Sequence, residues 1–504
     1  MIFSIDRKQI GFFLGILTFI LIALFLELEP GKPEVSFTLA VAALMAIWWV
    51  TECIPLAVTA LIPLVLFPLF GIMDGKDISS VYFNHIIFLF LGGFIMALAM
   101  EKWGLHKRIA LRILILIGVS PGRILMGFMI ATGFLSMWIS NTAATMMMIP
   151  IVLSVVVKLE ESVGQKEVSN YATGLFLAIA YSASIGGVST LVGSPTNLIC
   201  PRIIQLMFPA APEITFAKWF FFALPISITM FFAAWVLIYF MYKPKERWPL
   251  LPKETFRMQY KELGNTSREE KTVLVLFILL AVLWITRSDI QTGIFTLPGW
   301  AGVFKNPSWI NDGTTAIGIS ILLFLIPAKA KNQQIMDWES TKKLPWNIVL
   351  LFGGGFALAT GFETSGLARW FGENMVWAKD IHPYMILALI IIAMSLLTEL
   401  TSNVASTQML LPAYAALAIG SGNNPMFFMI PVTIASSLAF MLPTATPPNA
   451  IIFGTQRVSI PSMVRTGVLL NFIGVLIVIF FTWLLGTSIF EIQTGVVPDW
   501  AILN

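Results

Sequence analysis

Ser140-Asn141-Thr142-Ala143-Ala144-Thr145 and Ser402-Asn403-Val404-Ala405-Ser406-Thr407 open alike inside apolar sequence, and 402 − 140 gives an offset of 262. The same offset carries Phe90, Gly92, Gly93 and Phe94 onto Phe352, Gly354, Gly355 and Phe356. It also carries Glu101, Gly104 and Leu105 onto Glu363, Gly366 and Leu367, and Pro150 onto Pro412. A second pair of motifs, Gly193-Ser194-Pro195-Thr196-Asn197 and Ala445-Thr446-Pro447-Pro448-Asn449, matches at 445 − 193 = 252, as if the second half had lost ten residues (262 − 252) between them. The chain is therefore a duplicated half. Polar motifs repeated inside apolar sequence mark a site shared by two halves, which is how the binding centre of a membrane transporter reads in sequence.

Composition places the chain in a bilayer. Of 504 residues, 57% are hydrophobic and 12% charged, against roughly 25% charged in soluble proteins. The first apolar run, Gly11 to Leu28, leads into Pro30-Gly31-Lys32-Pro33 rather than a small-residue cleavage site, so it reads as a retained helix. Cys53 and Cys200 lie in apolar segments with no CxxC or nearby His, which favours packing over a disulfide or zinc. No HExxH, GxSxG or paired intramembrane aspartates are present, so no catalytic residue is assigned and an enzyme is disfavoured. His85, His106 and His382 all fall outside the repeated motifs, which favours sodium over proton coupling.

Apolar runs near 9–27, 37–54, 56–72, 84–101, 171–204, 218–241, 271–288, 312–328, 346–363, 427–455 and 465–489 make eleven spans. Two further stretches, 123–157 and 384–418, carry the Ser-Asn motifs near their middles and read as re-entrant hairpins, because irregular backbone at membrane depth survives only under cover of protein or a wet cavity. The expected fold is thus an all-α polytopic membrane protein, eleven transmembrane helices plus two re-entrant hairpins in two inverted-topology repeats. Lys and Arg test the count. They gather with Arg7 and Lys8 after even numbers of crossings: Lys102, Lys107, Arg108, Arg112 and Arg123; then Lys243, Lys245, Arg247, Lys253, Arg257, Lys261 and Arg268; then Lys329, Lys331, Lys342 and Lys343. The positive-inside rule then puts the N-terminus in the cytoplasm and the C-terminus outside, in the cell inner or plasma membrane. Gly92 and Gly354 lie in the fourth and ninth spans, an odd number of crossings apart, so the halves are inverted. The organisation expected is 1–120 first-half scaffold helices, 121–242 first-half transport region, 243–270 cytoplasmic linker, 271–380 second-half scaffold helices and 381–504 second-half transport region. The stretches Leu105 to Ile117 and Leu367 to Val376 read as interfacial helices.

The duplicated Ser-Asn motif, with Gly-Ser-Pro-Thr-Asn and Ala-Thr-Pro-Pro-Asn after it, resembles the divalent anion/sodium symporters that carry dicarboxylates, citrate or sulfate, over nearly the whole chain. That resemblance implies eleven spans and two hairpins, a homodimer, and an elevator-like motion of a transport domain against a scaffold. It also implies two sodium sites flanking one substrate.

A dianion at mid-membrane needs donors, and the repeated motifs hold no Lys or Arg. Hydroxyls of Ser140, Thr142 and Ser402, amides of Asn141 and Asn403, and backbone N–H groups at half-helix starts can supply them. Ser194, Pro195, Val404, Thr446 and Pro447 complete the candidate substrate-binding set. Pro195 and Pro447 are expected to break the fifth and tenth spans and free carbonyls for a hard cation. Each half offers a matching oxygen set for sodium: Ser136, Ser140, Asn141 and Gly193 in one, Thr398, Thr401, Asn403 and Ala445 in the other. Val404 departs from the first motif by lacking the hydroxyl of Thr142. Glu101 and Glu363 read as span-end residues. Glu399, three residues before Ser402, is a candidate to tune the nearby cation site.

The reading is sodium-coupled uptake of a C4-dicarboxylate or citrate, with sodium as coupling ion, no organic cofactor, a small dianionic carboxylate and the lipid bilayer as partners, and no nucleic acid. A sodium-independent dicarboxylate/citrate exchanger and a sodium/sulfate symporter keep the same fold. A channel is disfavoured by two sealed hairpin tips.

Overall fold

In the computed structural model, which describes residues 7–118, 120–244, 254–291, 296–329 and 333–502, the chain is a helical assembly with one two-residue antiparallel ribbon, Ile290–Gln291 against Thr296–Leu297. Among the described residues eight helices are long and apolar enough to cross a bilayer. Lys245, Arg247, Lys253 and Lys331, part of the expected basic clusters, lie outside the described residues.

Burial grades from rim to centre. The helix Arg7–Phe25 has only 11% of its apolar window buried, whereas Gln165–Val188 has 94%. Large apolar side chains such as Phe13, Leu24, Phe240 and Trp483 stay exposed on the outer helices, while Ser136, Asn197, Thr398 and Asn449 are fully covered. An apolar outside around a polar inside is the arrangement hydrocarbon solvent selects, and the chain is a multi-pass membrane protein.

The 262-residue offset survives in three dimensions. Pro121–Ser136 and Pro383–Thr398 coincide under it at both ends (121 + 262 = 383; 136 + 262 = 398), and Asn141–Val163 and Asn403–Gly420 share their starts. Gly104 and Gly366 (104 + 262) each cap the start of a short helix, Leu105–Ile117 and Leu367–Asn374, with positive φ, 71° and 84°, which an L side chain adopts only with strain. The start of each Ser-Asn segment lies against the helix that follows it: Tyr171 OH, in Gln165–Val188, donates to Pro121 O at 2.7 Å, and the ring of Phe427, in Pro425–Ala435, touches that of Tyr384 edge to face at 5.2 Å.

The connections sort onto two faces. On one, Lys102 Nζ donates to Asp337 at 2.6 Å and Trp103 Nε1 to Ile335 O. That ammonium, with the Ser340 amide, pulls the Asp337 carboxyl down to about 2. Arg108 grips Glu270 and the carbonyls of Leu263 and Gly264, and Arg457 pairs with Glu160, on this same face. On the other face, Trp370 Nε1 donates to Leu28 O, Arg287 to Glu213, and Gly495 N to Asn423 Oδ1. Loops after even-numbered runs thus touch one another, as do loops after odd-numbered ones.

Three local expectations are corrected. The run 56–72 is two short helices, Leu56–Thr59 and Ile62–Leu69, because Pro63 has no N–H to offer the carbonyl of Thr59 and so starts a new helix. Pro195 and Pro447 do not sit in the breaks: each is the first residue of the second half-helix, Pro195–Met207 or Pro447–Gly454, where a missing N–H costs nothing. The breaks themselves precede them, at 189–194 and 436–446. The linker carries a helix, Glu254–Glu262, whose Gln259 Nε2 donates to Ser154 Oγ of the first hairpin.

Gly92 and its mate Gly354 each press on an alanine, since a Cβ added there would come within 2.5 Å of Ala316 Cβ or Ala60 Cβ. Gly354→Val is expected to destabilise by about 1–3 kcal/mol through overpacking, read as a lower Tm in detergent. Gly318→Val, with nothing within 4 Å of its added Cβ, is expected to leave Tm nearly unchanged.

Candidate functional site

Both Ser-Asn motifs are helix starts. Ser140 and Ser402 are the N-cap residues, so Asn141 and Asn403 are the first residues of their helices, Asn141–Val163 and Asn403–Gly420. Ser140 Oγ accepts from Ala143 N at 3.2 Å; Ser402 makes no capping bond and keeps its hydroxyl available. Pro195 and Pro447 begin two more helices; Pro447 and Pro448 carry no N–H and Asn449 N is held by Thr446 Oγ1, so the starts that recur in both halves with positive partial charge are those at Asn141 and Asn403.

Each hairpin tip is fastened to the break of its own half. Thr190 Oγ1 donates to Met137 O at 2.5 Å and accepts from Gly193 N at 3.0 Å. Met137 plus 262 is Glu399, and in the second half the fastening is ionic. The Glu399 carboxylate accepts from Phe440 N at 2.7 Å, Met441 N at 2.9 Å, Leu442 N at 3.0 Å and Asn471 Nδ2 at 2.9 Å. Four donors on one buried carboxylate hold it as a clamp on the chain break, which is where the candidate tuning residue is found.

The asparagines that end the two proline motifs are equivalent in their bonds as well. Asn197 Nδ2 donates to the carbonyls of Gly187 at 2.9 Å and Thr190 at 2.7 Å, and Asn449 Nδ2 to those of Ala439 at 3.1 Å and Leu442 at 3.0 Å. Adding 252 to 187 and 190 gives 439 and 442. These two amides were quoted in the motifs but given no role by sequence reasoning; two fully buried Asn ending repeated Pro motifs were the available signal.

Of the first sodium set, Ser136, Asn141 and Gly193 come together. With its oxygen toward Ser136, Asn141 accepts from Ser136 Oγ at 2.6 Å; turned over, its nitrogen donates to Ser136 Oγ at 2.6 Å and to the carbonyls of Gly193 and Ala183 at 3.2 Å each. Three acceptors therefore converge on one carboxamide. A hard cation between them and the Asn141 oxygen would satisfy every group at once. Ala183 is a contributor that sequence reasoning missed, because a backbone carbonyl carries no residue-type signal. Gly187 and Gly193 admit this approach: an added Cβ on Gly193 would lie 2.6 Å from Gly187 O and 2.9 Å from Ser136 O.

In the second set, Thr398 Oγ1 donates to Ser395 O at 3.1 Å, and Thr401 Oγ1 donates to Leu397 O at 2.9 Å and pairs with Ser406 Oγ at 2.5 Å. Their protons point away, leaving oxygen lone pairs. Asn403 Oδ1 is buried with no partner. Glu399 joins the 398–403 segment to 440–442, three residues short of Ala445. Ser194 Oγ pairs with Thr196 Oγ1 at 2.8 Å, Thr446 Oγ1 accepts from Asn449 N at 3.3 Å, Thr142 is half-buried and Val404 packs against the apolar core.

The halves meet here. Thr196 Oγ1 lies 3.3 Å from Ser437 Oγ, and Tyr181 OH donates to Phe440 O at 2.7 Å. Pro195–Met207 packs on Asn403–Gly420, and reciprocally Pro447–Gly454 packs on Asn141–Val163. Thr145 Oγ1 and Ser184 Oγ are further buried oxygens without a partner in this cluster.

A model of the sodium:sulfate symporter transmembrane region matches residues 8–491. A sodium-dependent dicarboxylate transporter, SdcS, of Staphylococcus saprophyticus is 42% identical over 95% of this chain and 91% of its own. SdcS of Staphylococcus aureus is 43% identical over 94% and 90%. Among solved structures, the Neisseria gonorrhoeae MtrF efflux pump superposes with TM-score 0.55 at 12% identity, over 93% of this chain and 97% of that one. The Alcanivorax borkumensis YdaH transporter does so with TM-score 0.53 at 12% identity, over 89% and 98%. These two likenesses are of fold alone.

Glu399→Gln keeps size but leaves four donors facing one acceptor oxygen and an NH2 group. The expected destabilisation is about 2–4 kcal/mol, measured as loss of Tm. Glu363→Gln, at an exposed span end, is expected to stay within about 0.5 kcal/mol.

Proposed function

The chain belongs to the family defined by the sodium:sulfate symporter transmembrane region, and from that premise we propose that it takes up a C4-dicarboxylate or citrate together with sodium. It is a transporter and not an enzyme. The single observation that carries the reading is the matched pair of carboxamide oxygens at repeat positions. The Asn141 carboxamide meets three acceptors, Ser136 Oγ and the carbonyls of Gly193 and Ala183, and Asn403 Oδ1 is buried without a partner. Buried polar atoms are almost always satisfied, so the bare Asn403 oxygen and, at its mate position, the acceptors gathered around Asn141 favour a cation at each.

Ser136, Asn141, Gly193 and Ala183 would hold one sodium, with Ser140 beside them; Thr398, Thr401, Asn403 and Ala445 would hold the other. Between them Ser140, Asn141, Thr142, Ser402 and Asn403, with Ser194 and Thr446 at the half-helix starts of Pro195 and Pro447, would receive the carboxylates. Two cations beside a dianion make a nearly neutral cargo, which avoids the several kcal/mol that an uncompensated charge costs at mid-membrane. A third sodium would make uptake electrogenic, adding about 2.3 kcal/mol per 100 mV. The relatives named for sodium-dependent dicarboxylate transport support this substrate class.

The motion would be an elevator. The hairpins and broken helices are cross-fastened by Glu399, Tyr181 and Thr196 into one block. With the helices Phe216–Tyr242 and Ile460–Phe490 that pack on each other beside it, the block would slide against a scaffold of residues 1–120 and 271–380, in a homodimer with eleven spans, two re-entrant hairpins and a cytoplasmic N-terminus. The packing of each Ser-Asn segment's first turn on the helix that follows it and the sorting of loops onto two faces support that topology.

Uptake of radiolabelled succinate into proteoliposomes should require a sodium gradient and be competed by citrate; flux unchanged in choline would reject symport, and counter-flow without sodium would establish exchange. Asn403→Ala should raise the sodium concentration for half-maximal uptake by about tenfold. Val404→Thr adds a hydroxyl worth roughly 0.5–1.5 kcal/mol if it reaches substrate, and should change the ratio of succinate to citrate uptake; an unchanged ratio would show that Val404 only packs.

A further inference from the structure

On the rim opposite the linker, the connection 208–215 is fastened to the expected scaffold at two points. Arg287, just after the helix Arg268–Ile285, donates from its Nη2 to Glu213 at 2.7 Å. Asp312, the first residue of Asp312–Leu325, accepts at Oδ2 from Phe216 N at 2.8 Å, where the helix Phe216–Tyr242 begins. The same two charged groups also hold each other: Arg287 Nε donates to Asp312 Oδ1 at 2.6 Å and Arg287 Nη1 to Ile310 O at 2.7 Å.

We propose that Glu213–Arg287 and Phe216–Asp312 form a releasable latch between the moving block and the scaffold, which sets how much of the protein occupies the state seen here. The inference rests on the elevator reading of the preceding subsection. Its chemistry lies in which bonds a sliding block must break. Glu213 and Phe216 belong to residues 121–242 and travel; Arg287 and Asp312 belong to residues 271–380 and stay. Release therefore breaks two bonds and keeps two. Arg287 and Asp312, whose side chains are only 5% and 6% exposed, remain paired with each other, so no buried charge is stranded. Glu213, half exposed already, is simply hydrated. A buried ion pair split between the two bodies would make motion prohibitive, whereas this arrangement places the buried pair on one body and presents only its outer edge to the other.

The remaining surroundings of the connection favour release. On its far side Met207, Phe208, Pro209 and Ala210 line a cleft of about 490 Å³ shared with Lys32 and with Glu363 to Arg369, so the connection is gripped on one flank and has room on the other.

The test is a distance measurement between spin labels at Glu161→Cys and Lys342→Cys, both exposed and assigned to opposite bodies, in a Cys53→Ala background in proteoliposomes. The parent should show two distances whose ratio responds to sodium and succinate. Glu213→Gln should deplete the distance of the present state by about three- to tenfold in that ratio, and Glu213→Asp should restore it at least in part. An unchanged ratio in Glu213→Gln, with two distances in the parent, overturns the latch and leaves the elevator standing. A single distance in the parent, indifferent to sodium and succinate, overturns the elevator and the latch with it.

Discussion

A peptide group left without a partner in hydrocarbon costs several kcal/mol, and this protein interrupts two deeply buried helices, at 189–194 and 436–446. Everything at the centre follows from meeting that cost. Asn197 and Asn449 turn their amides onto the carbonyls freed by the breaks, and Thr190 and Glu399 take up the freed N–H groups. Only once the breaks are held can the Gly193 carbonyl be left beside Asn141, where with the Ala183 carbonyl of the preceding helix it could face a cation. The site is what remains after the repair of the backbone.

The repair follows one plan with two chemistries. Gly133 and Gly186 meet backbone to backbone in the first half, while their mates Ser395 and Leu438 meet through a hydroxyl donating to a carbonyl at 3.0 Å. Met137 offers only its main-chain oxygen to a threonine, while Glu399 offers a carboxylate to three consecutive amides. The second tip is thus fastened by charge-assisted bonds, roughly twice as strong as neutral ones, and carries a fixed negative charge near the second oxygen set. Duplicated halves need the same geometry, but nothing requires them to reach it with the same residues.

That distinction governs what could be read without coordinates. The offset, the helix starts at Ser140 and Ser402, and the short helices beginning at Leu105 and Leu367 were legible because Gly, Pro, Ser and Asn write local conformation directly into sequence. The grouping of loops by face was legible from Lys and Arg. The breaks lie beside Gly193 and Ala445, at the proline motifs, but their extent back to Ser436 in the second half was not legible, because proline marks only the start of the next helix and Leu438 to Leu442 carry no local signal. The roles of Glu399 and Arg287 were out of reach for a different reason: their partners are backbone amides or residues tens of positions away, joined only by the fold. Carbonyl ligands such as Ala183 leave no residue-type trace at all.

The same separation between local and assembled features explains the surface on which motion would occur. Gln408 is fully buried on the second hairpin, against Gly355 of the helix Trp346–Thr364, and neither its oxygen nor its nitrogen has a partner. Its mate in the first half, Met146, is 60% exposed. A bare amide of this kind destabilises the present packing by roughly 1–3 kcal/mol, the opposite sign to the contacts at Glu213 and Phe216. A carrier needs such opposition. If one state were favoured by about 5.5 kcal/mol, the other would be populated at roughly one part in ten thousand, and each cycle would wait on that rarity. Gripping contacts at one rim and an unsatisfied amide within the interface bring the two states close enough in free energy for a bound cargo to decide between them.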